Sequence, residues 1–333
     1  MPVGRWAGVD EAGYGPNLGP LVMSAVVAEG ERPDLWVDLA TTVCRAGGRC
    51  GRLWVDDSKR VYTGGVGLDR LEAATGAMLA ATGVEPPSSL DELLLALGSS
   101  ASASELDRWV DPLWPPRPVP RERVGVRVFD STPADGTPRT LTPSPPGDPS
   151  KNPLDGANWR IVGVRTVALG PARFNEALTG SKAAVHASVF AELIAPLWDR
   201  AGDGVPNFVR SDKHGGRNFY ADVLSQACPG ATITPVVEGP ALSRYVLTSP
   251  GRRVEVAFEP RADAGDGLVA LASMASKAVR ERWMGVFNAY WARRVPGLRP
   301  TAGYPVDARR FRDAIEPEAR RLGLGPEVWW RAK

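Results

Sequence analysis

The chain opens with two short apolar runs that are separated by a loop rich in glycine and proline. The first run ends at Val9 and the second spans 21–27. Short runs bounded by Gly and Pro favour strands, so we predict a strand, a tight turn and a second strand. Asp10 and Glu11 end the first strand. Because side chains alternate along a strand, we expect these two carboxylates to point to opposite faces.

Apolar residues at helical spacing predict helices further along the chain. The longer helices are predicted at 68–82, 175–198, 268–290 and 308–322, and shorter ones at 34–44, 90–97, 104–110 and 219–227. Further strands are predicted at 124–129, 159–169, 207–210, 233–237, 244–247 and 254–258. This order of elements predicts a mixed-sheet α/β or α+β domain with helices on the faces of the sheet.

One long segment, 112–153, shifts in composition to Pro, Gly, Ser and Thr. Only 124–129 within it resembles a strand, so we interpret the segment as an inserted arm rather than as part of the core. The sequence contains no internal repeat. We therefore expect a single domain over 1–333 that carries this arm.

The overall composition is ordinary for a soluble globular protein, with 43% hydrophobic and 23% charged residues and a formal charge of +2. Three cysteines without a C-x-x-C motif and only two histidines argue against a disulfide framework, a zinc site or a histidine-based triad. No apolar stretch approaches 18 residues and no signal peptide is visible. We expect a cytoplasmic protein without a membrane span.

Acidic residues recur at places where a sheet would bring them together. Asp10 and Glu11 end one predicted strand, Asp212 ends another, and Asp263 precedes the predicted helix at 268–290. Each of them, taken singly, suits an ordinary surface position. Four carboxylates at one rim of a sheet would suit Mg²⁺ or Mn²⁺, and a pair of such ions is the usual apparatus of phosphodiester hydrolysis. Spacing alone does not establish that they converge.

Five segments, in order along the chain, resemble the motifs of the type 2 ribonucleases H, the HII/HIII family. The family opens with D-E-A-G-R-G-P-x-x-G-P, continues with D-S-K, has a strand that ends in an aspartate, then a helix A-S-I-x-A-K-V-x-R, and finally G-Y-x-T. The matching segments of this chain are 10–20, 57–59, 209–212, 272–280 and 302–305. The resemblance covers about half of the chain.

The resemblance implies a fold and a set of metal ligands. The fold is a ribonuclease H-like mixed β-sheet flanked by helices, here with the arm at 112–153, an inserted β segment at 229–260 and a C-terminal helical segment at 291–333. The catalytic, metal-binding residues would be Asp10, Glu11, Asp212 and Asp263. Asp263 lies ten residues before Ser273, the spacing that the family uses, and Asp266 is the reserve candidate.

The resemblance also implies an activity and a set of substrate contacts. The chain would be a metal-dependent endonuclease that uses two Mg²⁺ or Mn²⁺ ions and leaves 5′-phosphate and 3′-hydroxyl ends. It would hydrolyse RNA in RNA–DNA hybrids or cut at ribonucleotides embedded in DNA, and we expect a monomer. The substrate-binding residues would be Gly13, Tyr14, Gly15, Lys59, Lys277 and Tyr304.

Tyr14 departs from the family, which has an arginine there. The family loop uses its backbone to recognise the ribose 2′-hydroxyl, and Gly13 and Gly15 keep that close approach open. Tyr14 removes a guanidinium and could instead stack on a base or sugar. Two alternatives therefore stay open: a nuclease of the same fold that acts on another nucleic acid such as a DNA junction, and a catalytically silent nucleic-acid-binding protein.

Two histidines and a lysine lie outside the segments that match the family motifs. We expect His186 to be a packed or surface residue, because it lies near the apolar stripe of a long predicted helix. His214, beside Asp212, could anchor a phosphate or carry a proton. Lys213 could also contact phosphates, although a lone lysine more often lies on a solvated surface.

Overall fold

The computed structural model describes residues 3–48, 51–85, 87, 90–97 and 152–332. The predicted helix at 104–110 and the predicted strand at 124–129 lie outside the described residues, as does the predicted arm except for its last two positions. Among the described helices, none is long and apolar enough to cross a membrane.

A mixed β-sheet forms the centre of the described structure. The described strands are β1 Gly4–Ala12, β2 Leu21–Gly30, β3 Val43–Cys44, β4 Leu53–Trp54, β5 Trp159–Leu169, β6 Asn207–Asp212, β7 Thr232–Glu238, β8 Ser243–Ser249 and β9 Arg252–Glu259. Strands β3 and β4 form a separate two-stranded pair, and the other seven form the main sheet. The main sheet has the spatial order β5-β2-β1-β6-β9-β8-β7. Strand β1 pairs antiparallel with β2 and parallel with β6, and β6 pairs parallel with β9.

The helices of the described residues surround this sheet. They are α1 Leu35–Asp38, α2 Ser58–Val61, α3 Gly67–Ala81, α4 Leu90–Leu97, α5 Pro171–Ala177, α6 Lys182–Arg200, α7 Ala221–Ala227, α8 Ala262–Gly265, α9 Gly267–Ala292 and α10 Pro305–Arg321. The predicted fold class, an α/β mixed sheet flanked by helices, is confirmed.

Apolar residues fill both faces of the sheet. Helices α9 and α3 pack against one face, where α10 adds apolar residues to the same core, and α6 packs with α7 against the other. The contact between α9 and β1 depends on Gly8, since a Cβ at that position would lie 2.2 Å from the carbonyl carbon of Leu268. The start of α9 therefore lies directly against the strand that carries Asp10 and Glu11.

The segment predicted as an inserted β segment, 229–260, belongs to the main sheet. Strand β9 pairs directly with β6 and so lies within the sheet, while β8 and β7 extend it antiparallel towards one edge. Beyond α9, the predicted C-terminal helical segment contains α10 and a short 3₁₀ turn at Pro326–Val328.

Two predicted helices were wrong in their bounds. The helix predicted at 175–198 is interrupted at 178–181, where Ser181 caps α6 by accepting a hydrogen bond from the backbone N–H of Ala184 at 3.2 Å. Within 34–44 only α1 is helical, because the chain turns at 39–42 and then enters β3. Turn and capping interactions therefore override the apolar spacing at both places.

The cysteines differ in their states. Cys44 is disulfide-bonded, whereas Cys228 is a free, buried thiol. The sequence argued against a disulfide framework, and it did not indicate the cross-link that involves Cys44. Cysteine number and motif spacing do not show which residues a fold brings into contact.

Candidate active site

The sheet brings the predicted acidic residues to one edge. Asp10 and Glu11 lie near the carboxyl end of β1, and Asp212 ends β6. Because β1 and β6 are parallel, these ends meet at the same edge. Strand β9 is parallel to β6 and leads into α8, which carries Asp263. Ligand sites of open α/β sheets commonly lie at such an edge.

Asp10, on β1, is buried against α9. Only 7% of it is exposed, and burial raises its pKa well above the usual range. The neighbouring charge of Glu11 raises this pKa further, and the charge of Asp263 adds to it, whereas a hydrogen bond with Ser273 lowers it. Helix α9 also holds the strand end directly, since Ser276 Oγ donates to the backbone carbonyl of Asp10 at 3.0 Å.

Asp212 and Asp263 form the other half of the cluster. Burial raises the pKa of Asp212, and the charge of Glu11 contributes, while hydrogen bonds from the backbone N–H groups of Lys213 and Arg261 oppose the rise. Burial, together with the charges of Asp57 and Asp212, raises the pKa of Asp263 to about 6. Each predicted acid thus lies within electrostatic range of at least one other, so the four form one continuous group.

Asp266, the reserve candidate, is engaged elsewhere. Its Oδ1 accepts hydrogen bonds from the backbone N–H groups of Leu268 at 2.9 Å and Val269 at 3.2 Å, which makes it the N-cap of α9. Its Oδ2 also lies 3.8 Å from Arg210 Nε. A capping carboxylate is held by the helix start, so Asp263 is the better candidate for the fourth acid.

The donor chemistry of this cluster fits a divalent cation. Carboxylate oxygens are the ligands that Mg²⁺ and Mn²⁺ prefer, and the raised pKa values show buried acids that repel one another and that a cation would stabilise. Within the described residues, no three His, Cys, Asp or Glu side chains are arranged closely enough to hold a metal ion as they stand.

The loop after β1 exposes its backbone beside the acids. Gly13 has a φ of +87°, and a Cβ there would lie 2.4 Å from the carbonyl oxygen of Pro20, so only glycine fits this turn. Gly15 is exposed, and no atom lies within 4 Å of where its Cβ would stand. Tyr14, between them, is partly buried and packs edge-on against the His186 ring, with centroids 5.2 Å apart.

The other predicted substrate contacts lie on α2, α9 and the start of α10. Lys59 is exposed on α2, and its charge lowers the pKa of Asp263. Lys277 on α9 pairs with Glu281 at 2.7 Å and lies over the Tyr62 ring. Tyr304 directly precedes α10 and is 49% exposed.

Sequence reasoning did not assign His186 to the site. It is 2% exposed, and its Nε2 lies 3.4 Å from Glu11 Oε2. Neither ring nitrogen has a hydrogen-bond partner in the described part of the chain. The signal was its position beside Val185 on the apolar stripe of the helix, because a histidine that faces a core needs a polar neighbour.

His214 and Lys213 are both tied into the protein. Burial lowers the pKa of His214 well below its usual value, and the proximity of His186 and Arg217 acts in the same direction. The His214 ring packs against the His186 ring at a centroid distance of 4.3 Å. Lys213 Nζ donates to Asn218 Oδ1, the Gly239 carbonyl and Ser243 Oγ, which uses all three of its hydrogens.

Comparison with protein families and with curated proteins finds no match to this chain. Among solved structures it is similar to the RNase HII of Archaeoglobus fulgidus in its complex with PCNA (15% identity, TM-score 0.39, 99% of this chain and 94% of that chain). It is also similar to the ribonuclease H2 of Pyrococcus horikoshii OT3 (14%, 0.40, 98% and 92%) and to Bst-RNase HIII in complex with Mn²⁺ (12%, 0.41, 99% and 67%). These names belong to the family that the motifs resemble. At such identities and TM-scores the likeness carries no argument about what this chain does and assigns no role to any residue.

Proposed function

We propose that this chain is a metal-dependent endonuclease that hydrolyses RNA in RNA–DNA hybrids or cuts at ribonucleotides embedded in DNA. The observation that carries the proposal is the continuous group of buried or half-buried carboxylates at the carboxyl ends of β1 and β6 and on α8. A protein keeps mutually repelling acids together at a functional site, where a cation neutralises them. The order of the motifs along the chain supports the same proposal.

Asp10, Glu11, Asp212 and Asp263 would hold the metal. Two Mg²⁺ or Mn²⁺ ions, when bound, supply the charge neutralisation and water activation that phosphodiester hydrolysis requires, and the expected products carry 5′-phosphate and 3′-hydroxyl ends. Residues of the protein hold the carboxylates in position. Ser273 fixes the Asp10 carboxylate, and the backbone N–H groups of Lys213 and Arg261 fix Asp212.

The exposed backbone around Gly13 and Gly15 would recognise the ribose. Close approach of a sugar requires a loop without side chains in the way, and the 2′-hydroxyl offers both a donor and an acceptor to backbone groups. Tyr304 and Tyr14 would contribute aromatic faces, and Lys59 and Lys277 would contact phosphates. The partner is then an RNA–DNA hybrid or a ribonucleotide-containing DNA duplex, bound by a monomer.

Cleavage of three labelled duplexes in Mg²⁺ and then Mn²⁺ tests this proposal. The duplexes are an RNA–DNA hybrid, DNA with one embedded ribonucleotide, and plain DNA. Cutting at the ribonucleotide should be lost in Asp10→Asn and Asp212→Asn, and it should persist in the control Asp155→Asn, whose carboxylate is exposed in the loop before β5. Equal cutting by wild type and both acid variants would contradict the proposal.

The second candidate is a nuclease of the same fold that acts on another nucleic acid. Tyr14 is the observation that favours it, because its ring packs on His186 where the family loop carries a guanidinium. Cutting of plain DNA alone would select this candidate. Binding of all three duplexes without cutting would instead select a silent nucleic-acid-binding protein.

A further inference from the structure

A buried arginine lies directly beneath the loop at 13–17. Arg331 is 0% exposed. Its Nη2 donates to the carbonyl oxygens of Gly13, at 2.6 Å, and of Pro16. Its backbone N–H donates to the carbonyl of Asn17 at 2.8 Å. One residue therefore holds both ends of the loop whose backbone is proposed to recognise the ribose.

Two neighbouring segments keep this arrangement in place. Asn175 Nδ2 donates to the carbonyl of Trp330 at 2.8 Å, and Asn175 Oδ1 accepts from the N–H of Ala332 at 2.8 Å, so Arg331 is fixed on both sides. On the other side of the loop, the N–H of Asn17 donates to the Gly303 carbonyl at 2.9 Å. The loop is thus clamped between the segments at 301–304 and 329–332.

The charge of Arg331 has no counterion among the residues that the structure describes. No carboxylate in the described residues pairs with it, and its Nε and Nη1 are buried without a hydrogen-bond partner there. Burial, together with the nearby charge of Arg280, lowers the pKa of Arg331 to about 9. Arg280 is itself only 1% exposed, and its Nε also has no partner within the described residues. A buried cation without an anion is costly, and an anion placed over the loop reduces that cost.

We propose that Arg331 is a positioning residue that fixes the loop at 13–17 from beneath and thereby sets how tightly the loop binds the sugar–phosphate backbone of its substrate. This inference rests on the proposed function, because that function supplies the polyanion. The residue does not touch substrate, since its side chain is enclosed. It acts through the carbonyl groups that it holds and through a positive charge beneath an exposed backbone.

Arg331→Met tests the proposal, because it keeps an unbranched side chain and removes every donor of the guanidinium. Arg331→Lys restores the charge and a donor. Arg320→Met is the matched control, because Arg320 is an exposed arginine of α10 whose described partner is the nearby Glu316. Asn175→Ala loosens the anchor of Arg331 without changing the arginine. The readouts are amide hydrogen exchange at 13–17, and KM and kcat for DNA with one embedded ribonucleotide.

We expect Arg331→Met to speed exchange in the loop and to raise KM about tenfold or more, the effect of losing a charge-assisted hydrogen bond, with kcat changed much less. Arg331→Lys should recover part of the KM, Asn175→Ala should act in the same direction as Arg331→Met, and Arg320→Met should match wild type. A folded Arg331→Met with wild-type exchange and KM would overturn the proposal. If Arg331→Met does not fold, unchanged exchange and KM in both Arg331→Lys and Asn175→Ala would overturn it.

Failure of the proposed function would look different. Wild type would then cut none of the duplexes, and the affinity for the uncut ribonucleotide-containing duplex in EDTA would replace KM as the second readout. Faster loop exchange and weaker binding in Arg331→Met would still support the positioning role. Wild-type exchange and wild-type affinity would reject it independently of any cutting.

Discussion

Neutralising one acid of the cluster should stabilise the metal-free protein. Asp263 is 8% exposed, and its pKa is raised from 3.8 to about 6 by burial and by the charges of Asp57 and Asp212. Such a rise corresponds to about 3 kcal/mol of unfavourable free energy for the ionised form in the folded protein. Asp263→Asn keeps the shape of the protonated acid and removes that charge.

The sign of the effect depends on pH. Above pH 6 the wild-type carboxylate is ionised in both states and is unfavourable only in the folded protein, so the variant should be more stable by about 1–3 kcal/mol. Between pH 6 and 3.8 the folded wild type takes up the proton first, so its stability rises towards that of the variant. Below pH 3.8 the two proteins should be equally stable.

Urea denaturation in EDTA at a series of pH values measures this difference. Asp155→Asn serves as the control, because Asp155 is exposed and its replacement should change stability by less than about 0.5 kcal/mol at every pH. Equal or lower stability of Asp263→Asn at pH 8 would show that the folded protein does not oppose ionisation of Asp263.

Three further outcomes follow from the same geometry. Adding Mg²⁺ or Mn²⁺ should raise the thermal unfolding temperature of wild type, and it should raise that of Asp10→Asn much less. Equal increases in the two proteins would mean that the ions bind away from the acidic cluster. Gly8→Ala should destabilise the protein by about 3 kcal/mol or more in chemical denaturation, because its Cβ would meet the Leu268 backbone at 2.2 Å. Near-wild-type stability of this variant would contradict the close contact between β1 and α9. His186→Phe should lower nuclease activity about tenfold, because it removes the polar neighbour that lies 3.4 Å from Glu11, whereas His186→Gln should retain most of the activity. Equal activity of the two variants would show that the contact with Glu11 does not contribute.

Local patterns predicted the framework of the site. The apolar runs around the loop at 10–20 predicted β1 and β2, and the helical spacing after Asp266 predicted α9 within two residues at each end. The face of each carboxylate also followed from strand alternation, since Asp10 interacts with Ser273 of α9 whereas Glu11 lies beside His186 of α6. These features depend on neighbours in sequence, so periodicity carries them.

Contacts between distant segments could not be predicted in this way. Arg331 reaches Gly13 across 318 positions, and nothing in the sequence around 331 indicates a partner. His186 faces Glu11 because α6 packs on the face of the sheet to which Glu11 points, and only the packed sheet determines this contact. The place of β9 next to β6 likewise depends on pairing across the sheet. The apolar pattern predicted this strand, but it did not indicate which strand it would pair with.

The role of Tyr14 could not be predicted from the motif alone. The motif indicates that this position differs from the family, and the structure adds that the ring packs on His186. The charge beneath the loop comes from Arg280 and Arg331, on α9 and in the segment at 329–332. A single substitution in a motif therefore has to be interpreted together with residues that the motif does not include.

Anomalous diffraction from crystals soaked in Mn²⁺ would locate the bound metal itself, independently of whether the protein cuts any substrate. We expect anomalous peaks bounded by the carboxylates of Asp10, Glu11, Asp212 and Asp263, and we expect these peaks to be lost in Asp10→Asn. Absence of a peak at these acids in wild type, with Mn²⁺ bound elsewhere on the protein, would contradict the assignment of this cluster as the catalytic metal site.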